Sequence, residues 1–493
     1  MKKNLTKSII LIFLAITFII SGTACTEHID SSESSKDTTV VSDAGTEAVS
    51  VDTNGYVLDS LPELNFEKQS VTFLTWSDVE HEEFSVEKLT GNNINDAIWE
   101  RNIAVENTLN VELNFYGIPG NADHISDYVN YVANAISAGT NDFDIIAAHS
   151  QSIANCVQGG YCMNLLDYDY LDFTMPWWPE RLITEATINN KLYFCSGDIS
   201  ANTLYMMYVC FFNKQIIDQY DLSNPYDLVE SNEWTYEKFM DMCDGIYSDL
   251  NNNNVKDVGD QFGYMVYNLH ADPWFYGADC VILDKDSEGD LKVSDTRSCD
   301  KVIKTLEMVN GLLWNTNDGM YTTSTNQENC FTSGYSLFMT DRSRVAFTNL
   351  TQTDFEYGVV PMPKYDSEQG NYVTVLGNPF TSYAIPQICE NPEMCAAILE
   401  CYASESYRQL TPEIFEITMK AKYAKDSTAG QMYDIARETV TFDIGRIFSN
   451  VLIPQNKFRK MISENTNDWA STVATTTDLL NEKLEILMKT FEE

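Results

Sequence analysis

Two short stretches set an aromatic ring beside a carboxylate: Trp76-Ser77-Asp78 and Asp272-Pro273-Trp274. That pairing suits a sugar, because the apolar C–H face of a pyranose stacks on a ring while its hydroxyls need charged or amide partners. His149, His270, Asp341, Arg342 and Asn378 add donors and acceptors of the same kind. Each has a structural alternative. The tryptophans could close the end of a sheet, the lone histidines could be satisfied polar residues, and Asp341–Arg342 could be a local ion pair of little worth. Trp177-Trp178, between two prolines, reads better as a structural staple.

A second chemistry is spaced along Asp249 to Asp260. An EF-hand-like loop supplies oxygens from positions 1, 3, 5, 9 and 12 and a carbonyl at 7, here Asp249, Asn251, Asn253, Asp257, Asp260 and the carbonyl of Val255. Asn254 stands where a positive φ is wanted, and Asn tolerates it. Against the pattern, Asn replaces two acids, Asp260 is shorter than the usual Glu, and Lys256 adds an opposing charge. A weak structural Ca2+ site outside the cell and a metal-free Asn-rich turn both remain open. No other cofactor is implied.

Nothing selects a catalytic residue. There is no G-x-S-x-G, H-E-x-x-H, P-loop or nucleotide fingerprint. The five histidines, with His28 and His81 toward the N-terminal end, do not suggest a zinc or triad site. Binding is therefore favoured over catalysis. The alternatives are a secreted glycoside hydrolase working through a carboxylate pair, or a binder of peptides or polyamines.

The elements that must position these residues alternate. Val71–Trp76, Val111–Tyr116 and Phe143–Ala148 have strand patterns; Asn93–Leu109 and Asp123–Ala138, the latter closed by Gly139, have helical spacing. A helix-like Ser150–Cys156 follows. This β-α-β-α-β series predicts a parallel sheet with helices on both faces. Later strands are expected at 204–212, 262–267, 336–340, 357–360 and 381–385, and helices from 213, over 233–249, 301–313 and 392–402, with the C-terminal third mostly helical. In open α/β sheets ligands bind beyond the carboxyl ends of strands, and the residues singled out above follow predicted strands.

The first residues read as an export signal. Lys2, Lys3 and Lys7 precede an apolar run, Ile9–Ile20, too short to span a bilayer, and Ser21-Gly22-Thr23-Ala24 leads into Cys25. That order resembles a bacterial lipoprotein signal with Cys25 as the lipidated residue, although Gly22 stands where an aliphatic residue is usual. The Ser-, Thr- and acid-rich stretch after it, to about residue 60, predicts a flexible tether. Loss of residues 1–24 removes three lysines and no acid, moving the net charge from −42 to −45. Such a field repels nucleic acid and anionic ligands and favours a neutral or cationic solute. Eleven cysteines follow Cys25 without a C-x-x-C pair. They read mainly as small buried hydrophobes, and the disulfide state stays open.

Four ordered blocks then carry a resemblance. They are Val71-Thr-Phe-Leu-Thr-Trp-Ser-Asp78; Asp142-Phe-Asp-Ile-Ile-Ala-Ala-His149 with Gly159-Gly160; Gly334-Tyr-Ser-Leu-Phe-Met-Thr-Asp341 followed by Tyr357-Gly-Val-Val-Pro-Met-Pro-Lys364; and Asn378-Pro-Phe-Thr-Ser-Tyr-Ala-Ile-Pro386. Together they resemble the family-1 extracellular solute-binding proteins, the class of maltose-binding protein. The resemblance implies an α/β fold of two doubly wound lobes with a ligand cleft between them. It also implies closure by hinge bending and delivery of a carbohydrate to an ABC permease at the outer face of the cytoplasmic membrane. A monomer is expected. The expected lobes are 61–200 with 341–400, and 201–340 with 401–493.

Overall fold

A computed structural model describes residues 39–40, 50–424, 426–452 and 457–492. The expected leader (1–24), Cys25 and most of the tether lie outside the described residues.

The first lobe is built on β1 (Gln69–Trp76), α1 (Asn93–Leu109), β2 (Val111–Ile118), α2 (Ile125–Ala138), β3 (Ile145–His149) and α3 (Ser150–Gln158). β1 pairs in parallel with β2 on one side and β3 on the other. With a neighbour on each side, its Val71, Phe73, Leu74 and Trp76 are all buried, the continuous apolar run expected of a central parallel strand. β2, at the edge, alternates instead. Asn92 caps α1 by accepting from the amides of Ile94 and Asn95, and α2 stops at Gly139 in the left-handed region.

The chain crosses through a short helix, α4 (Asn202–Tyr205), where the sequence predicted strand from residue 204. The second lobe holds β4 (Tyr208–Asn213), β5 (Phe262–Tyr267), α5 (Asp272–Gly277), β6 (Gly319–Thr322), β7 (Ser336–Arg342) and β8 (Tyr357–Val360). Its strand order is β6-β5-β7-β4-β8. The helix predicted over 233–249 is shorter, Tyr236–Cys243, and Gly245 follows it with φ 76°. The return passes beside the outward crossing, with the Gly377 amide on Met206 O at 2.8 Å. It enters the first sheet as β9 (Thr381–Ala384), antiparallel to β3, and continues into α6 (Pro392–Glu405), which packs on α1.

This route corrects the expected lobe boundary at 341. β8 pairs with β4, so the chain stays with the second sheet until about residue 376, and residues 401–405 remain with the first lobe. The C-terminal region is largely helical and touches both lobes: Trp469–Glu492 packs on the 283–293 hairpin, while its Phe491 meets Tyr193 at 5.2 Å. The tether also ends earlier than residue 60. Asp52 folds the chain back by accepting from the amides of Asn54 and Tyr56, and the Tyr56 ring packs edge-on to Tyr407. Among the described residues, no helix is long and apolar enough to cross a membrane.

Candidate functional site

The carboxyl ends of β1 and β3 in one lobe and of β5 and β7 in the other meet at the seam between lobes. Asp78, two residues past β1, accepts from the amides of Gly120 and Asn121 at 2.8 and 2.9 Å and lies 3.2 Å from His124 Nδ1. It thus holds the loop that leads into α2; Ser77 beside it is exposed. His149 closes β3. Its Nδ1 accepts from the Gln151 amide, so the proton sits on Nε2, which is buried without a partner among the described residues. Burial lowers its pKa to about 4, against the opposing pull of Asp78 and Glu80, and the ring is neutral. Asn378 enters through its backbone, accepting from Ser150 Oγ at 2.7 Å.

From the other lobe, His270 and Asp341 form a buried pair at 3.3 Å, with Gln327 Nε2 on His270 Nδ1 at 2.9 Å. Burial lowers the His270 pKa although Asp341 opposes it. Asp341 Oδ2 has no partner among the described residues. Glu80 joins the lobes: its two oxygens lie 3.0 Å from Arg342 Nη1 and 3.0 Å from Arg344 Nε. The first lobe's loop after β1 is thereby tied to the residues that end and follow β7.

Three expected ligand residues are placed elsewhere. The Trp76 ring is fully buried under the sheet end, with Nε1 donating to Thr381 Oγ1 at 2.8 Å and His149 edge-on at 5.4 Å. Thr381 in turn donates to the buried Glu83, which also accepts from Ser200 Oγ and the Asn202 amide. Trp274 lies on α5 within a cluster of Tyr236, Phe239 and Tyr264, its Nε1 donating to the Tyr264 hydroxyl at 3.0 Å. Asp272 is buried between Arg446 Nη1 and Arg459 Nε, each at 2.6 Å. Both rings have their apolar faces and N–H satisfied by protein, so neither offers a surface to a solute in this form.

Other rings stand at the seam: His81, Phe347 and Tyr423 are half-buried and flank the buried Tyr205. A cavity of about 440 Å³ opens at the seam, lined among others by His81, Asn92, Tyr205, Phe347, Lys422 and Tyr423. His81 stacks on Tyr205 at 4.1 Å, Tyr205 meets Phe347 at 5.5 Å, and Phe347 meets Tyr423 at 5.2 Å. Burial, reinforced by Arg344, lowers the His81 pKa to about 4, so this ring too is neutral. Sequence reasoning missed this row. His81 lies three residues beyond Asp78 and Phe347 five beyond Arg342, on the loops that carry those candidates, whereas the sequence pattern at Tyr205 predicts strand. A second cavity, about 500 Å³, lies across α4 and is lined by residues such as Asp198, Met207, Phe415 and Arg437. The first cavity is lined from the loops that follow β1 and β7 and from the start of α1, which makes it the better match to the rule for α/β sheets.

The 249–260 loop is held by its own polar groups. Asp249 accepts from the Asn254 amide at 2.8 Å, and Asp257 from Asn251 Nδ2, Asn253 Nδ2 and the Gly259 amide. Asp260 Oδ2 accepts from the Tyr247 hydroxyl, and its buried Oδ1 has no partner among the described residues. Asn254 has φ 58°. Among the described residues, no three His, Cys, Asp or Glu side chains are grouped to hold a metal ion.

The profile of the bacterial extracellular solute-binding proteins matches residues 120–413, more than half of the chain. The chain belongs to that family. Solved structures agree on the fold of this solute-binding protein. A Staphylococcus aureus extracellular solute-binding protein in complex with maltose is 12% identical, covering 86% of this chain and 98% of its own, with a TM-score of 0.56. A Rhizobium etli sugar transporter in an open conformation is 12% identical over 86% and 99%, with a TM-score of 0.54. The GacH receptor of Streptomyces glaucescens, solved unliganded and with acarbose, is 13% identical over 86% and 99%, with a TM-score of 0.51. No curated protein matches. The two-lobe solute-binding architecture expected from the four sequence blocks is thus the family's.

Proposed function

We propose that this protein captures a neutral carbohydrate in the seam between its lobes and delivers it to an ABC permease. The observation that carries the reading is the aromatic row His81–Tyr205–Phe347–Tyr423 with Asn92 and Lys422 at its rim. Rings take the C–H faces of a sugar while amide and ammonium groups take its hydroxyls. Ser77, Asp78, His149, His270, Asp341, Arg342 and Asn378 frame the adjoining strand ends as further polar contacts. The sugar-bound S. aureus and S. glaucescens proteins of the same fold support a saccharide as cargo. Titration calorimetry of the secreted chain with neutral oligosaccharides tests this. Saturable binding is expected, with Tyr205→Ala and Phe347→Ala each weakening affinity about tenfold or more, or about 1.4 kcal/mol. Unchanged affinity in both variants would remove this cavity from the reading.

In the same reading Cys25 carries the lipid that keeps the protein at the outer face of the membrane, and Cys25→Ala releases it into the medium. The 249–260 loop takes a structural Ca2+, supported by the ligand spacing and the free, buried Asp260 oxygen. Millimolar calcium then raises the melting temperature of the native chain but not of Asp249→Ala; equal melting with and without calcium would exclude the ion.

A further inference from the structure

The described cysteines are buried or half-buried, and two pairs have their sulfurs in contact: Cys280 with Cys299 at 3.8 Å and, closer, Cys389 with Cys395. The sulfurs of the second pair lie 3.4 Å apart at the start of α6. Cys389 sits in the turn after β9, its amide bonded to Pro386 O, while Cys395 lies in the first turns of the helix, its amide bonded to Asn391 O. A disulfide needs the sulfurs at about 2.05 Å, a further approach of about 1.35 Å from 3.4 Å. No third metal ligand stands with them among the described residues.

The two thiols are not equivalent. Cys389 is 7% exposed and Cys395 0%. The Cys395 thiol and the Asn391 amide at the helix start both hydrogen-bond to the Cys389 sulfur and pull its pKa down, whereas Cys395 is held protonated by that contact and by burial. A thiolate attacks a disulfide, and the more accessible, more acidic thiol attacks first.

We propose that Cys389 and Cys395 form an oxidisable pair in which Cys389 is the entry thiol and Cys395 the resolving thiol. The oxidant is a disulfide met outside the cell. The Cys389 thiolate attacks one of its sulfurs, forming a mixed disulfide and expelling one thiol. Cys395 then loses its proton and displaces the second thiol, closing the Cys389–Cys395 bond. One disulfide is reduced to two thiols and one is formed. The product pins the turn after β9, where the chain leaves the first sheet, to the helix that packs on α1. Because a cross-link restricts the unfolded chain, the oxidised form melts higher.

Oxidised glutathione is the probe, applied to the full secreted chain. After treatment, a non-reduced peptide map of the native chain should join the fragments bearing Cys389 and Cys395, and two fewer thiols should react in denaturant than in the reduced chain. Cys395→Ser should retain one glutathione on Cys389, while Cys389→Ser retains none on Cys395. A native chain that keeps all its thiols overturns the pair, and the map reads this without any variant having to fold. Equal glutathione labelling of the two variants overturns the assigned order.

Discussion

Asp272 illustrates how a residue that looks like a ligand contact can be committed inside the protein. Its carboxylate is shared by Arg446 and Arg459 at 2.6 Å and is almost fully buried. Removing one member of a buried ion set costs about 3–5 kcal/mol, because the partners keep their charge without compensation. Asp272→Asn is therefore expected to lower the denaturation midpoint by that order while leaving the affinity of the folded protein for a sugar unchanged. Loss of sugar affinity at full stability would return Asp272 to the binding surface. Glu400 gives a pH signature. Burial pushes its pKa up from 4.5 to about 8, against the Trp178 indole and the Asp172 amide that bond its Oε2. A carboxyl raised on folding stabilises below its unfolded pKa, and that contribution is lost as pH climbs from about 4.5 to about 8. His149, lowered to about 4, acts oppositely: its contribution is present above about 6.5 and is lost as pH falls toward 4. Glu400→Gln should flatten the alkaline side of the stability–pH curve between about 6.5 and 8, and chemical denaturation at several pH values measures it. The ring-plus-carboxylate pairs were legible in the sequence. Their partners were not: Thr381 and Arg446 lie 305 and 174 residues away along the chain.

Among elements, the strand and helix order of the first lobe was readable because each element carries its own period and stop. α1 occupies the predicted 93–109, and α2 ends at the predicted Gly139. The crossings were harder. α4 ends on Leu204-Tyr205, apolar and aromatic like the strand it leads into, and the chain's stay in the second lobe beyond 341 depends on β8 pairing with β4, a contact with no local signal. Near the outward crossing, Gly197 has φ 140°, and a Cβ there would fall 2.4 Å from both Trp177 O and Pro179 Cδ. Gly197→Ala should cost more than about 1 kcal/mol, read as a lower denaturation midpoint. A neutral result would show that the crossing relaxes more freely than its packing implies.

For the whole molecule, a net charge of −42 opposes compaction. Raising ionic strength from about 0.01 to about 0.15 M shortens the screening length from about 30 to about 8 Å, so the melting temperature should rise over that range with an inert salt. Among the described residues the wall of the cavity at the seam carries no carboxylate and one lysine, Lys422, a lining suited to a neutral solute in so acidic a chain. The most direct test is calorimetry of the secreted chain with a panel of neutral oligosaccharides, with the same samples analysed for product. Saturable one-to-one binding of a sugar recovered intact is expected. Release of a shorter saccharide, or binding confined to peptides or polyamines, would contradict it.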